Sequence, residues 1–289
     1  MKLSVIIPCH PRNLPTLPRT RESVAVAARG LDVEVIAVDD GASRGPSWAR
    51  NRGLDRAKGD YVFFVDADDT VRPEFFRKPV AALENFSADV CFFSDGTTVR
   101  RASEFFDGNA AVRAKYLPAF FGYSFEDVRR WNAGGALDAR KEQGSVCLAA
   151  FRRSFLERHA LRFDETMTFF EDAMFLSAAC AVAGRAVAIE DALYDYRQRP
   201  DGNLASGLGS ARHVDYKFKA LAFRKRLNEA CRGELWGYCE ASCVLSALEL
   251  LRGGHLVSFF KYIADPAVRK AFGGFPWSIS TISRGVRGL

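Results

Sequence analysis

Hydrophobic positions in the first hundred residues fall in short unbroken runs, separated by stretches where apolar positions recur at helical spacing. Leu3–Pro8, Val33–Val38, Tyr61–Val65 and Ala88–Phe93 are such runs, and Arg19–Arg29 and Ser47–Lys58 between them read as helices. Apolar runs without alternation predict strands buried on both faces, and strands separated by helices predict a mainly parallel sheet flanked by helices. Residues 100–145 follow no clear period and are rich in aromatics and glycine, as in Phe120-Phe121-Gly122-Tyr123. Helical patterning returns at Ser154–His159 and Phe170–Ala183, with short strands at Val187–Ile189 and Tyr194–Tyr196. After the loop Gln198–Ser210 the chain reads as helical to about Ala271. The pattern predicts a Rossmann-like α/β domain over residues 1–206 and a helical C-terminal extension over 207–289.

Composition narrows the class. Apolar residues make up 48% of the 289 and charged residues 26%, the balance of an ordinary globular enzyme. No run approaches the ~20 apolar residues that span a bilayer. The first apolar run is also too short for a secretory signal, so a cytoplasmic protein is expected. Seven cysteines, an odd number with no Cys-x-x-Cys pair, predict buried thiols, Cys239 and Cys243 among them. The net charge of +6 is uneven: residues 203–289 carry 13 Lys/Arg against 6 Asp/Glu. Such a tail fits an anionic partner (a membrane surface, an acidic polymer or nucleic acid) or simply a solvated helical face. Phe259, Phe260, Tyr262 and Ile263 beside His255 and Lys261, and Ile279, Ile282 and Val286 beside Arg284 and Arg287, could form an interfacial stripe or pack inward.

Ligands of a parallel sheet bind beyond the carboxyl ends of its strands, so the polar residues there carry the candidate chemistry. Asp66-Ala67-Asp68-Asp69 ends the third run. Carboxylates two apart project to one side, where they can hold a hard cation, Mg²⁺ or Mn²⁺; an acidic turn capping a helix at Thr70–Pro73 is the competing reading. Asp39-Asp40-Gly41 ends the second run and is either a second acidic contribution to the same crevice or an Asp-Gly turn. Glu171-Asp172 opens an apolar helix, where the helix dipole alone favours acids. Phe125-Glu126-Asp127 is a rival copy followed by Arg129 and Arg130.

The order IIP, VDDGA, GPSWARNRGLDRAKGDYVFFVDADD, LRFDETMTFFEDAMFL and LYDYRQRPDGNLAS resembles the family 2 glycosyltransferases of the GT-A fold, over roughly residues 3–206. The resemblance implies an inverting transfer of a sugar from a nucleotide-diphosphate donor, commonly UDP, to a glycan or lipid-linked acceptor. It places Asp39 and Asp40 at the base and ribose, and Arg50 and Asn51 on the helix closing over the nucleotide. Pro8, His10 and Ala67 fall with the donor contacts, and Arg197 lies near the diphosphate. It makes Asp66 and Asp68 the metal-binding Asp-x-Asp, Asp172 the general base and Glu171 its acceptor-side neighbour. Two departures stand out. The family has Tyr-Asn after the first-strand proline, whereas Cys9-His10-Pro11 stands here, with His10 able to stack on the base. The span from Asp40 to Ala49 is short, which predicts one strand fewer than usual. A glycine-rich loop is missing after the first strand, against a nucleotidyltransferase or a dinucleotide-binding oxidoreductase. An inactive sugar-nucleotide or glycan-binding module of the same fold is the non-enzyme alternative. Nucleic acid is not an expected partner; peripheral contact with an anionic membrane stands beside packing against the catalytic domain as an open alternative.

Overall fold

The computed structural model describes residues 1–41, 44–97, 103–134, 144–167, 170–197 and 211–277. The chain opens with β1 (Lys2–Cys9), α1 (Leu17–Ala27), β2 (Asp32–Asp39), α2 (Pro46–Arg56) and β3 (Tyr61–Phe64). Next come a short β4 (Thr70–Val71), α3 (Arg77–Asn85), β5 (Val90–Ser94), β6 (Glu104–Asp107), α4 (Asn109–Phe120) and α5 (Phe125–Asn132). They are followed by β7 (Ala149–Arg152), α6 (Arg153–Arg158), α7 (Glu171–Val182), β8 (Arg185–Ala192) and β9 (Tyr194–Asp195). The remainder is helical: α8 (Ala211–Ala230), α9 (Glu240–Arg252), α10 (Leu256–Ile263) and α11 (Pro266–Gly274). No helix among the described residues is long and apolar enough to cross a membrane.

Seven strands form one sheet in the order β2-β1-β3-β7-β5-β8-β6. β1 pairs in parallel with β2 and β3, and β5 with β8. β7 runs antiparallel between β3 and β5, and β6 runs antiparallel beside β8. The sheet is therefore mainly parallel, as the apolar runs predict. β1 and β3 are central: Leu3, Val5, Ile6, Ile7, Val62, Phe63 and Phe64 are wholly inaccessible. β2, read from sequence as buried, is instead an edge strand with Val35 43% exposed. Among the described residues from Asp40 to Ala49 there is no further strand beside it.

Two glycines set how closely these elements approach. A Cβ on Gly59 would stand 2.5 Å from the Leu3 carbonyl carbon and the Ser4 nitrogen, so the turn into β3 rests on the backbone of β1. A Cβ on Gly53 would stand 2.3 Å from Ile6 Cγ2, so α2 lies directly on β1. That proximity brings the buried face of α2, unusual in carrying Arg50 and Asn51, over the strand ends.

Two expectations are corrected. Residues 100–145, which show no clear period, contain β6, α4 and α5, and β7 stands where the pattern predicts no strand. No helix begins at Thr70; the chain enters β4, which pairs antiparallel with β9. The chain also divides into two compact units, Met1–Ala114 with Gln143–Asn203, and Lys115–Glu142 with Leu204–Leu289. Residues 115–142 thus group with the tail and not with the first 206 residues. The second unit has its own core: Val128, Ala241, Val244, Leu245, Ala271 and Phe275 form one cluster, and Leu221, Cys243, Ala247, Leu250, Tyr262 and Val268 another. All seven cysteines are buried free thiols.

Candidate active site

The register of β1, β2 and β3 brings three strand ends to one edge. Cys9 lies opposite Asp39, and the Asp40 N–H donates to the Cys9 carbonyl at 3.0 Å. Asp40 is only 5% exposed, and its Oδ1 has no hydrogen-bond partner among the described residues. A buried carboxylate oxygen left unpaired costs roughly 1–3 kcal/mol. Asp39 is exposed and accepts from the Gly41 N–H at 2.9 Å. Ala42, at the end of the same motif, lies outside the described residues. Pro8 is buried within β1, and His10 caps the turn that follows, its Nδ1 accepting from the Arg12 N–H at 3.1 Å.

The Asp66–Asp69 turn is held from three directions. The Ala67 carbonyl accepts from the Thr16 hydroxyl at 2.9 Å, and the Asp69 carbonyl from the Thr20 hydroxyl at 2.7 Å. The Tyr194 hydroxyl accepts from the Asp66 N–H at 3.1 Å and donates to Asp69 Oδ2 at 2.8 Å. Asp69 Oδ1 accepts from the Arg197 N–H at 2.8 Å. Burial pushes the Asp69 carboxyl up to about 7, with Asp66 and Asp68 adding to the push against those hydrogen bonds. Asp69 and Tyr194 thus shape the turn, and with Thr16 and Thr20 they are what the sequence reading missed. The only sequence cue was a third acid beside the Asp-x-Asp. Arg197, expected near a diphosphate, meets the turn through its backbone and leaves its side chain exposed.

Arg50 gathers the other acids. Its guanidinium is 3% exposed, with Nη2 3.0 Å from Asp66 Oδ1. Nη1 stands 2.7 Å from Asp172 Oδ1 and 3.2 Å from Glu171 Oε1. The second Asp172 oxygen accepts from the Val146 N–H at 3.1 Å. Burial pushes the Asp172 carboxyl up to about 7; Arg50 pulls it down, while Glu171 and Asp66 push it up again. The helix presenting these acids begins after Phe170, whose left-handed backbone (φ 56°) costs a bulky residue roughly 1–3 kcal/mol. Asn51, expected at the nucleotide beside Arg50, has internal partners: its Nδ2 donates to the Phe163 carbonyl at 3.0 Å and Glu165 Oε1 at 2.9 Å, and its Oδ1 accepts from the Phe163 N–H at 2.9 Å. The rival Asp127 closes a capping box with Ser124 at the start of α5 and pairs with Arg130.

The structure therefore brings Arg50, Asp66, Glu171 and Asp172 into direct contact at one edge of the sheet. Three carboxylates around one guanidinium leave a net negative site. Among the described residues no three His, Cys, Asp or Glu converge as a closed metal cage. A hard divalent ion completing its shell with substrate phosphates and water needs only one or two carboxylates, and Asp66 (side chain 35% exposed) and half-buried Asp68 are of that kind. The donor set fits Mg²⁺ or Mn²⁺.

Comparison with known proteins bears on the fold and the family. The family model described as glycosyl transferase family 2 matches residues 41–102, which hold α2, β3 and the Asp66–Asp69 turn. The succinoglycan biosynthesis protein ExoO of Rhizobium meliloti is 28% identical over 288 residues, covering 87% of this chain and 78% of its own. The crystal structure of residues 1–349 of TarS from Staphylococcus aureus superposes with a TM-score of 0.56 at 15% identity, covering 92% of this chain and 82% of that one. The same TarS fragment in complex with UDP-GlcNAc gives 0.54 at 18% identity, covering 93% and 82%. At these identities the two structures speak for the fold.

Proposed function

We propose that this chain of GT-A-like fold is a family 2 glycosyltransferase that moves a sugar from a UDP-sugar to a hydroxyl of a glycan or lipid-linked acceptor, inverting the anomeric carbon. The observation that carries this reading is the cluster in which Arg50 joins Asp66, at the end of the donor-side strand, to Asp172, at the start of α7. A UDP-sugar donor is in keeping with the UDP-GlcNAc named in the TarS complex.

Each part of the reaction has a residue suited to it. Asp40, buried with an unsatisfied oxygen, binds a hydroxyl or N–H of the nucleoside, with Asp39 beside it. Asp66 and Asp68 would hold Mg²⁺ or Mn²⁺, which supplies neutralising charge for the departing diphosphate. Asp172 takes the proton of the acceptor hydroxyl as its oxygen bonds to the anomeric carbon. The bond from that carbon to the diphosphate breaks in the same displacement, so a single attack from the opposite face inverts the centre. Glu171 lies on the acceptor side. A carboxyl lifted toward neutrality by burial is a stronger base than an exposed aspartate, and Arg50 keeps it ionised.

The test is transfer and donor hydrolysis over a panel of nucleotide-sugars with Mn²⁺, for the parent and for Asp172→Asn. The substitution should lower kcat by about 10²–10⁴ while UDP affinity stays within a few-fold. A parent that binds UDP yet neither transfers nor hydrolyses is a binding module, and the enzymatic reading fails.

We further propose that the outward face of α10 meets an anionic membrane. The expected stripe is redistributed: Tyr262 is wholly buried in the second unit's core, with Phe259 and Ile263 packed against it. Leu256, Val257 and Phe260 point outward at 54%, 70% and 62% exposure. Arg252 and Lys261 are exposed beside them, and no acid lies on α10. Apolar side chains among cations match the chemistry of an anionic lipid surface. Ile279, Ile282, Arg284, Val286 and Arg287 lie outside the described residues.

A further inference from the structure

We infer that Arg50 is a positioning residue: its guanidinium locks the donor-side Asp66 and the base Asp172 in one fixed arrangement, and it acts on the reaction through Asp172. The inference rests on the reading of Asp172 as base and assigns Arg50 a place inside the site, not on the nucleotide.

Three features carry it. First, the charge is out of proportion to a structural need. One carboxylate would neutralise a buried guanidinium, yet three converge on Arg50 from two separate elements, the end of β3 and the start of α7. Second, the fork is divided by direction: Nη2 faces Asp66 and Nη1 faces the α7 acids. A planar guanidinium fixes the relation between its two nitrogens, so it fixes Asp66 relative to Asp172; an ammonium has no such plane. Third, the guanidinium itself is held. It lies 5.3 Å from the centroid of Phe163, and Phe163 stacks on Phe175 of α7 at 4.1 Å. The Asn51 amide grips the Phe163 backbone from both sides, and Asn51 is the residue next to Arg50. Base, clamp and ring therefore form one body, with Val146 N–H fixing the remaining Asp172 oxygen.

The experiment uses the full chain with Arg50→Lys, Arg50→Met, Asp172→Asn and the corresponding double variants. For Arg50→Lys, kcat should fall about 10²-fold, the loss a misplaced group produces, while acceptor KM and UDP affinity measured in EDTA stay within about threefold. In Arg50→Lys/Asp172→Asn the two losses should not multiply, and the double variant should be no slower than Asp172→Asn within a few-fold. Multiplying losses, or a fall in UDP affinity as large as that in kcat, would overturn the inference and make Arg50 a donor ligand. A second readout needs no catalysis: without nucleotide or metal, Asp172→Asn should lower the melting temperature of the parent, where it breaks the pair with Arg50, and should raise it in the Arg50→Met background, where it relieves repulsion among the acids. An equal change in both backgrounds overturns the contact, and Arg50→Lys replaces Arg50→Met in this cycle if the latter fails to fold. If the parent transfers nothing, the reading of Asp172 as base falls, while the melting cycle still decides whether Arg50 holds it.

Discussion

Asp172 sits between burial, which drives its carboxyl toward the neutral form, and Arg50, which holds it ionised. With a value of about 7, the base is protonated and inactive below that pH and competent above it. Turnover should therefore rise through pH 7 and level off on the alkaline side, and a kcat profile flat from pH 5.5 to 8.5 would contradict the assignment. Asp127, spent on its helix cap, should tolerate Asn with turnover within a few-fold of the parent, although loss of the cap should cost about 1 kcal/mol of stability. Asp68→Asn should weaken UDP binding in Mn²⁺ at least about tenfold, and EDTA should do the same to the parent. UDP affinity indifferent to EDTA by calorimetry would remove the metal role. The candidate residues were legible because acids at strand ends or in a helix's first turn stand out against apolar runs. Asp69 and Tyr194 were hidden because their work lies in hydrogen bonds across 125 residues of sequence, which no local pattern records.

At the scale of elements, what was legible is what local patterning controls. β1, β3 and β5 are continuous apolar runs, and α2 begins at a Gly45-Pro46 step where glycine's φ of 88° frees the chain to turn. β7 escaped notice since Ala149–Arg152 is four residues long with little apolar bulk; the sheet on both sides makes it a strand. α4 escaped because Pro118 lies inside it. β2 has the composition of a central strand and sits at the edge for a reason of topology, not of residue type. Contact between elements is tested most directly at Gly59, where an added Cβ meets the backbone of β1 with nothing able to move aside. Gly59→Ala should cost about 1–3 kcal/mol by thermal or denaturant unfolding. An unchanged melting temperature would mean that β1 and the turn into β3 do not touch as closely as described.

Over the whole molecule, net positive charge lies in the C-terminal part because acids are scarce there, and α10 adds a cluster of exposed apolar side chains. Residues 203–289 hold 13 of the 41 Lys/Arg and only 6 of the 35 Asp/Glu. Vesicles of phosphatidylglycerol should carry the chain upward in a flotation gradient at low salt, and Val257→Glu/Phe260→Glu should leave it at the bottom without changing transfer to a small acceptor. Equal flotation of parent and variant would reject the α10 face. The position of β7 has a further effect, one of timing. By residue 94 a ribosome has made both β3 and β5, but the strand that belongs between them begins at residue 149. At about 5–20 residues per second, roughly 3–11 s pass before it is synthesised. Through that interval the nascent chain carries two unfinished strands bearing Phe63, Phe64, Phe92 and Phe93, each with a free edge on which another chain can pair. The late antiparallel strand thus sets how long those edges stay open during synthesis, an exposure the finished fold no longer displays.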